Sequence, residues 1–316
     1  MDRQLSLEFA RITEQAALKS ARLVGLGDKE GADQAAVDGM HEQFALTPVS
    51  GTVVIGEGEI DEAPMLYIGE HVGQGGEEVD IAVDPVEGTN LVAKGKNGAI
   101  AVLAIAPKGC LLHAPDMYMQ KICVGPRAKG RIDIRASVTE NLKNVADAMG
   151  REVSDLTMVI LDRERHEKII REAREAGARV YLITDGDVVP SVDSGIHMVM
   201  GSGGAPEGVL SAVGLKCLGG DMQARLLPQT EQEIQRLHTM GIDDPNKVLT
   251  LDDLVKGDDC IFAETAITDC AMLRGVRFFG GGARTSTLVL RYKTGTVRFI
   301  DTVHRFGEDK PGVRMF

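Results

Sequence analysis

A mixed α/β fold, with an α+β part followed by an α/β part, is predicted by this sequence of 316 residues. Three observations support it: helical apolar spacing at the N-terminus, short apolar strands that end in acidic turns, and alternation of strand and helix from residue 155 onward. With 43% hydrophobic and 26% charged residues, the chain can bury a large core. We expect two domains, 1–153 and 154–316, because the pattern changes between them.

The N-terminal part begins with two predicted helices. Apolar residues recur at helical spacing over residues 5–23, which predicts an amphipathic helix that ends at Gly25 and Gly27. A second helix is predicted to begin near Asp33. Three strands and a further helix complete this part, with expected bounds of 52–55, 79–83, 99–106 and 138–149.

Strand and helix alternate in the C-terminal part, which predicts parallel βαβ units. The expected strand, helix, strand and strand cover residues 157–161, 166–176, 179–184 and 196–200. The last strand leads into a predicted loop, Gly201-Ser202-Gly203-Gly204, and then into a helix near Pro206, whose missing N–H is not needed in a first turn. Close to the C-terminus, residues 287–292 and 296–302 predict a hairpin.

Composition and motifs exclude several functional classes. The net charge of -12 argues against a nucleic-acid partner, whose backbone requires clustered Lys and Arg. The longest apolar run, 99–107, is far shorter than the ~20 residues needed to cross a bilayer, and the N-terminus lacks the apolar stretch of a signal peptide. We therefore expect a cytoplasmic protein with no membrane partner. The five cysteines contain no CxxC pair, and His166 is interpreted as helix surface.

Carboxylates concentrate at two turns that directly follow predicted strands. In the segment Asp84-Pro85-Val86-Glu87-Gly88-Thr89, proline and glycine fix a tight turn and the threonine opens a helix. Asp84 and Glu87 can converge there as oxygen ligands of a cation. Residues 56–62 carry four more carboxylates, which repel one another unless a metal neutralises them or they extend into water. A metal site and a solvated acidic loop are thus the two interpretations of this second turn.

The first turn resembles the Asp-Pro-x-(Asp/Glu)-Gly-Thr signature of the lithium-sensitive, metal-dependent phosphatases. Glu87, and the Gly-Glu-Gly-Glu run at 56–59, differ from inositol monophosphatases and match class II fructose-1,6-bisphosphatases. The resemblance covers nearly the whole chain, and its other motifs are residues 27–33, 163–166, 185–187 and 203–208. It implies a layered αβαβα sandwich of the fructose-1,6-bisphosphatase/inositol monophosphatase type, with the active site in a crevice between the two domains.

The resemblance also implies a site with two or more divalent ions, Mg²⁺ or Mn²⁺. The implied metal ligands are Asp33, Glu57, Asp84, Glu87 and Glu207. Thr89, oriented by Asp61, would position and deprotonate the attacking water, and Lys29 would reach the reacting phosphate. Two alternatives stay open for these residues: Thr89 caps a helix, and Lys29 pairs with a metal ligand.

Further implied contacts bind the sugar and its second phosphate. The implied substrate-binding residues are Glu87, Gly88, Thr89, Tyr118, Arg163, Glu164, Arg165, Asp185, Gly186, Asp187 and Gly204. The two arginines suit a distal phosphate because the guanidinium fork matches phosphate oxygens, and the alternative is a salt bridge to the next helix. The two aspartates would accept hydrogen bonds from sugar hydroxyls or only form a turn, and the tyrosine would contact the sugar or fill the core.

Residues and resemblance together predict hydrolysis of D-fructose 1,6-bisphosphate to D-fructose 6-phosphate and phosphate by metal-activated water, a gluconeogenic step. The expected partner is a small sugar bisphosphate, and the family implies a homodimer or homotetramer. Alternatives are a sedoheptulose-1,7-bisphosphatase or dual-specificity bisphosphatase, an inositol or nucleotide phosphatase, and a non-catalytic phosphosugar sensor.

Overall fold

A computed structural model of the chain describes residues 1–58, 65–193, 195–239, 241–244 and 246–306. The chain forms two compact units, one of Met1–Gly109 with Asp259–Phe316 and one of Cys110–Asp258. Each unit has its own β-sheet, and helices pack on that sheet through a buried apolar cluster. The predicted mixed α/β class is therefore confirmed.

The described residues form nine α-helices and fourteen β-strands. The helices are α1 Leu5–Ser20, α2 Lys29–Phe44, α3 Thr89–Ala93, α4 Val138–Met149, α5 Glu167–Glu175, α6 Val188–Val192, α7 Ala205–Leu218, α8 Glu231–Thr239 and α9 Leu251–Leu254. The strands are β1 Val49–Ile55, β2 His71–Val72, β3 Glu77–Glu87, β4 Ile100–Pro107, β5 Tyr118–Val124, β6 Thr157–Leu161, β7 Arg179–Ile183, β8 Met198–Gly204, β9 Asp221–Leu226, β10 Leu249–Thr250, β11 Ile261–Ala266, β12 Arg277–Phe279, β13 Gly282–Arg291 and β14 Thr296–Arg305. None of these helices is long and apolar enough to span a membrane.

The first unit contains an eight-stranded sheet in the order β12-β13-β11-β4-β3-β1-β2, with β14 paired to β13. β1 and β3 run parallel, whereas the other paired strands run antiparallel. Helices α1 and α2 cover the sheet through a cluster that includes Phe9, Ile12, Phe44 and Leu103. Because parallel strands end at the same edge of a sheet, the carboxyl ends of β1 and β3 lie at one edge.

The second unit contains a six-stranded sheet in the order β10-β9-β5-β8-β6-β7. β6 runs parallel to β7 and to β8, and α5 joins β6 to β7, which confirms the predicted βαβ unit. Helices α4 and α5 pack on the sheet through residues such as Leu142, Val145, Ile160 and Ala173. β5 lies antiparallel between β8 and β9. Because β6, β7 and β8 are parallel, their carboxyl ends lie at one edge of the sheet.

Several other predicted elements are confirmed. α1, continued by a helical turn over Ala21–Leu23, covers the first predicted helix, and Gly25 and Gly27 follow it with φ of 80° and 77°. α4 and β6 have their predicted bounds. The C-terminal hairpin is formed by β13 and β14, and Pro206 lies in the first turn of α7.

The predicted start of the second helix is wrong. α2 begins at Lys29, because Asp28 is its N-cap and accepts a hydrogen bond of 2.9 Å from the Gly31 N–H. Asp33 consequently lies one turn inside the helix. Lys29 and Asp33 are four residues apart on α2 and share a face.

The predicted loop at residues 201–204 is also wrong, because these residues are the second half of β8. Antiparallel pairing with β5 continues as far as Gly204, which lies opposite Tyr118. The sequence analysis predicts no strand at residues 118–124. It therefore does not include β5, the strand whose pairing extends β8 to Gly204.

The two units divide the chain at positions that differ from the expected boundary between residues 153 and 154. β11 pairs with β4 and β13, so the last strands belong to the sheet of the first unit. β5 precedes the expected boundary but pairs with β8 and β9. The change of sequence pattern near residue 153 corresponds to the connection between α4 and β6, inside the second unit.

Candidate active site

Two predicted metal ligands of the first unit, Asp33 and Glu57, form a carboxyl pair. Glu57 follows β1, and the two side chains are hydrogen-bonded to each other. Burial, the charge of Asp33 and this hydrogen bond raise the pKa of Glu57 to about 8. Burial also raises the pKa of Asp33, although the hydrogen bond and the charge of Lys29 act in the opposite direction. A half-buried carboxyl pair in which Glu57 retains its proton near neutral pH suits a cation, whose charge can replace that proton.

A second carboxylate pair, Asp84 and Glu87, lies at the end of β3. One oxygen of Asp84 and one of Glu87 lie within 4.8 Å of each other, and Glu87 is buried whereas Asp84 is half-buried. The Val86 N–H donates a hydrogen bond of 3.0 Å to Asp84 Oδ1, which orients this carboxylate inside the turn. Such a separation suits one cation between two oxygens, since hard cations bind each oxygen at about 2.0–2.6 Å.

The turn after β3 leads directly into α3. Gly88 is the N-cap residue, with the left-handed angles φ 92° and ψ 44°, and a Cβ there would lie 2.9 Å from Leu91 Cδ1. Thr89 is therefore the first helical residue and not the cap, so the capping alternative is wrong. Its predicted partner, Asp61, lies outside the described residues.

The second unit collects the predicted sugar and phosphate contacts at one edge of its sheet. The segments after β6 and β7 carry Arg163, Glu164 and Arg165, and then Asp185, Gly186 and Asp187. Gly204 is the last residue of β8, and Glu207 lies in the first turn of α7, which follows directly. Ligands of open α/β sheets bind at this carboxyl edge of parallel strands. Tyr118, the first residue of β5, joins the same edge because it lies opposite Gly204.

The two arginines differ in what they contact. Arg163 donates to the carbonyl oxygens of Asp162, at 3.0 Å, and Thr184, at 2.7 Å, and so connects the ends of β6 and β7. Arg165 is exposed, and its guanidinium carbon lies 5.0 Å from the centre of the Tyr118 ring, a cation–π distance. Tyr118 is 43% exposed, so the alternative of a core tyrosine is wrong.

Asp187 forms a buried ion pair with Lys121, a residue with no predicted role. Lys121 Nζ donates to Asp187 Oδ1 at 2.8 Å, and the side chains are 1% and 9% exposed. Burial alone would lower the pKa of Lys121, but the charge and the hydrogen bond of Asp187 outweigh burial and raise it. The sequence analysis does not identify Lys121, because this residue lies in β5, a strand that the sequence does not predict.

Glu207, in the first turn of α7, has an unsatisfied side chain. Its Oε2 is buried and has no hydrogen-bond partner among the described residues. Burial raises the pKa of Glu207, although the charge of Lys121 acts in the opposite direction. A Cβ at Gly204 would lie 1.9 Å from Glu207 Oε2, so a larger residue there would displace the carboxylate from this position. A buried oxygen without a partner is satisfied when a cation binds it.

The prediction that His166 lies on a helix surface is wrong. The residue precedes α5 and is 1% exposed, with Nδ1 at 2.8 Å from the Leu161 carbonyl oxygen. Its Nε2 accepts a hydrogen bond of 2.8 Å from the Ser202 N–H. His166 and Ser202 were both missed. The available signals were a histidine just after Arg165 at a strand end and a lone serine within a glycine run.

Comparison with known proteins identifies the family. Residues 3–304 match the family of bacterial fructose-1,6-bisphosphatases, glpX-encoded. The chain is also 50% identical, over 346 aligned positions that cover 100% of both chains, to a protein of Synechococcus sp. (strain JA-2-3B'a(2-13)) named D-fructose 1,6-bisphosphatase class 2/sedoheptulose 1,7-bisphosphatase.

The chain belongs to this family. A relative of the same name from Trichodesmium erythraeum is 47% identical, with 98% of this chain and 99% of the relative covered. One from Acaryochloris marina, named as form 2, is 46% identical with 98% of each chain covered. The predicted family and the predicted enzyme class, a phosphoric monoester hydrolase of the class II fructose-bisphosphatase type, are thereby confirmed.

The carboxylates of this class II fructose-bisphosphatase fit a divalent cation. The Asp84 and Glu87 oxygens are close enough to share one, and Glu207 carries an orphaned oxygen in the other unit. Oxygen-only donor sets of this kind select hard cations over softer metals. A sugar bisphosphate is the substrate class that the family implies.

Proposed function

We propose that this chain hydrolyses D-fructose 1,6-bisphosphate at its 1-phosphate, releasing D-fructose 6-phosphate and phosphate. The observation that carries the proposal is the close carboxylate pair Asp84 and Glu87, immediately before Thr89 in a chain of the class II family. Carboxylates that concentrate cations next to a hydroxyl are suited to phosphate ester hydrolysis by water. No phosphoenzyme is expected.

Two sets of carboxylates would hold the ions, Mg²⁺ or Mn²⁺. Asp33 and Glu57 form the first set, and Glu207 would join Asp84 and Glu87 in the second. When bound, such ions neutralise the charge of the phosphoryl group and lower the pKa of water. The raised pKa of Glu57 supports the first set, and the buried, unpartnered Glu207 Oε2 supports the second.

Two polar groups, one next to each set in the chain, would act on the reacting groups. The Thr89 hydroxyl would orient the attacking water, with Asp61 as acceptor of its proton. The position of Thr89, two residues after Glu87, supports this role. Lys29 lies one turn before Asp33 on α2, where its charge opposes the rise in the pKa of Asp33 that burial causes. It would also attract the reacting phosphate.

The sugar and its 6-phosphate would bind at the carboxyl edge of the second sheet. Arg165 is the stronger candidate for the distal phosphate, because its side chain is exposed, whereas Arg163 is half-buried and ties the ends of β6 and β7 together. Asp185 and Asp187, in the turn that contains Gly186, would accept hydrogen bonds from sugar hydroxyls. Gly186 has φ of 76°, which supports a fixed turn there.

Dual specificity is the second candidate, because the relatives from three cyanobacteria also carry the name sedoheptulose 1,7-bisphosphatase. One further hydroxymethylene unit would lengthen the required pocket without changing the chemistry at the reacting phosphate. We also propose that the enzyme acts in the cytoplasm, in gluconeogenesis, as a homodimer or homotetramer. These last points rest on family membership.

Phosphate release tests the proposal. The full chain, supplied with Mg²⁺ or Mn²⁺, would be assayed on fructose 1,6-bisphosphate, sedoheptulose 1,7-bisphosphate and inositol 1-phosphate. We expect turnover of the first, and of the second if the enzyme has dual specificity. Turnover of inositol phosphate alone would contradict the substrate assignment. Binding of the bisphosphates without phosphate release would identify a sensor.

A further inference from the structure

Arg165 is held in one orientation by Ser202 on β8. The Arg165 Nε donates to Ser202 Oγ at 3.0 Å, and Nη2 donates to the Ser202 carbonyl oxygen at 2.9 Å. Because Nε and Nη2 are adjacent donors of one planar fork, two bonds to the same residue fix the plane of the guanidinium. Tyr118 covers the guanidinium at 5.0 Å from the ring centre. The guanidinium has five N–H donors, and the two bonds to Ser202 use two of them.

Ser202 is in turn held by the ring of His166. The His166 Nε2 accepts from the Ser202 N–H at 2.8 Å, so the proton of the neutral imidazole is assigned to Nδ1, which faces the Leu161 carbonyl at 2.8 Å. The Ser202 Oγ lies 3.1 Å from the same Nε2. A hydroxyl can donate one hydrogen bond and accept others, so Oγ can accept from Arg165 while its proton shares the single Nε2 lone pair with the Ser202 N–H.

The position of the His166 ring follows from the way β6 and β8 separate. These strands pair at only two positions, the second of which joins Val159 to Val199. Beyond it, the imidazole bridges the gap from the Leu161 carbonyl on β6 to the Ser202 N–H on β8. Gly201 allows this, since a Cβ there would lie 3.1 Å from Cε1 of the ring. The sheet itself therefore positions the serine.

We propose that Ser202 is a positioning residue for Arg165, and that His166 keeps Ser202 in place, so that Arg165 meets the distal phosphate of the sugar bisphosphate in a fixed orientation. This inference rests on the proposed function. An arginine that is already ordered loses less conformational entropy when it binds an anion than a freely moving one. Ser202 therefore acts on substrate affinity through Arg165, without touching the reacting phosphate.

The test compares fructose 1,6-bisphosphate with fructose 1-phosphate, which carries the same reacting ester but no distal phosphate. For Ser202→Ala, we expect the KM for the bisphosphate to rise about 5- to 10-fold, because Arg165 loses one of the two bonds that orient it and keeps the bond to the residue 202 carbonyl. The kcat should stay within about twofold, and the KM for fructose 1-phosphate should not change. Ser202→Thr, which keeps the hydroxyl, should restore the KM for the bisphosphate.

A double variant separates positioning from general support of the fold. Arg165→Gln and Arg165→Gln/Ser202→Ala should have the same KM for the bisphosphate, because Ser202 then has no guanidinium to position. Ser137→Ala is the matched control: it removes the serine hydroxyl that caps α4 in the same unit. That change should lower stability and leave both KM values unchanged.

Two results would overturn the positioning role of Ser202. One is an equal rise in KM for both substrates, and the other is a further rise when Ser202→Ala is added to Arg165→Gln. A different result would overturn the distal-phosphate site itself, and with it this inference: a wild-type enzyme with the same KM for fructose 1-phosphate and fructose 1,6-bisphosphate. Failure of the inference is thus distinguishable from failure of the proposed function.

Discussion

Replacing Lys121 by methionine should destabilise the second unit strongly, because it leaves Asp187 as an unpaired charge in the interior. The pair is almost completely removed from water, with 1% of the Lys121 side chain and 9% of the Asp187 side chain exposed. Methionine retains most of the volume of lysine, so the main loss is the ammonium and not the packing. Breaking a buried ion pair on one side costs about 3–5 kcal/mol of unfolding free energy.

Lys216 offers a control with the same substitution. It is also buried, at 6% exposure, but its carboxylate partner Asp252 is 88% exposed and stays hydrated when the lysine is removed. Lys216→Met also removes the hydrogen bond to the Val255 carbonyl, which costs about 1–2 kcal/mol. We therefore expect Lys121→Met to cost about 1–4 kcal/mol more than Lys216→Met, by the difference between these two figures.

Urea unfolding of the full chain, followed by circular dichroism, measures this difference. Adding Asp187→Asn to Lys121→Met should recover part of the lost stability, because it removes the unpaired charge. If Lys121→Met cost no more than Lys216→Met, or if Asp187→Asn brought no recovery, the burial of the pair would not determine its contribution. The KM for fructose 1,6-bisphosphate should also rise in Lys121→Met, since Asp187 loses its fixed position.

Three further predictions concern catalysis, binding and pH. Thr89→Ala should lower the kcat of phosphate release by about 100-fold or more and change KM little, since the hydroxyl orients the attacking water; equal changes in both would contradict that role. Arg165→Ala should raise the KM for the bisphosphate by about 10-fold or more in steady-state assays, and an unchanged KM would exclude it from the distal site. Burial alone would raise the pKa of Asp259, but hydrogen bonds and charges of Arg291 and the N-terminal ammonium hold it below its usual range. The stability that Asp259 provides is therefore complete above the unfolded-state pKa of about 3.9 and is lost as the pH falls toward the lower folded-state pKa. Asp259→Asn should lower the unfolding free energy by about 3 kcal/mol at pH 7, and in urea titrations this deficit should shrink below about pH 4; a constant deficit would contradict the assignment.

Local sequence identified the parts of the candidate site that depend on local geometry. Asp84 and Glu87 are three residues apart in one turn, so their proximity follows from that turn. The arginines at the end of β6 and the aspartates after β7 were found in the same way, because a strand that ends in charged residues delivers them to the edge of a sheet. The family resemblance then supplied the expected roles.

Long-range pairing determines what sequence reasoning could not find. Lys121 meets Asp187, 66 residues away, only because β5 inserts between β8 and β9. Ser202 reaches His166, 36 residues away, only because β6 and β8 separate beyond their second pair. Neither of these long-range contacts produces a periodic pattern in the sequence. The pairing of β11 with β4 in the first sheet is also long-range. Because of it the first unit contains both ends of the chain, which a single boundary at residue 153 does not describe.

The most direct test of carboxylate-held cations is phosphate release from fructose 1,6-bisphosphate after exhaustive treatment of the full chain with a chelator. If Asp33, Glu57, Asp84, Glu87 and Glu207 hold the ions, we expect release to fall below about 1% of the untreated rate and to return when Mg²⁺ or Mn²⁺ is added back. Undiminished release from the chelated protein would contradict a role for divalent ions at these carboxylates.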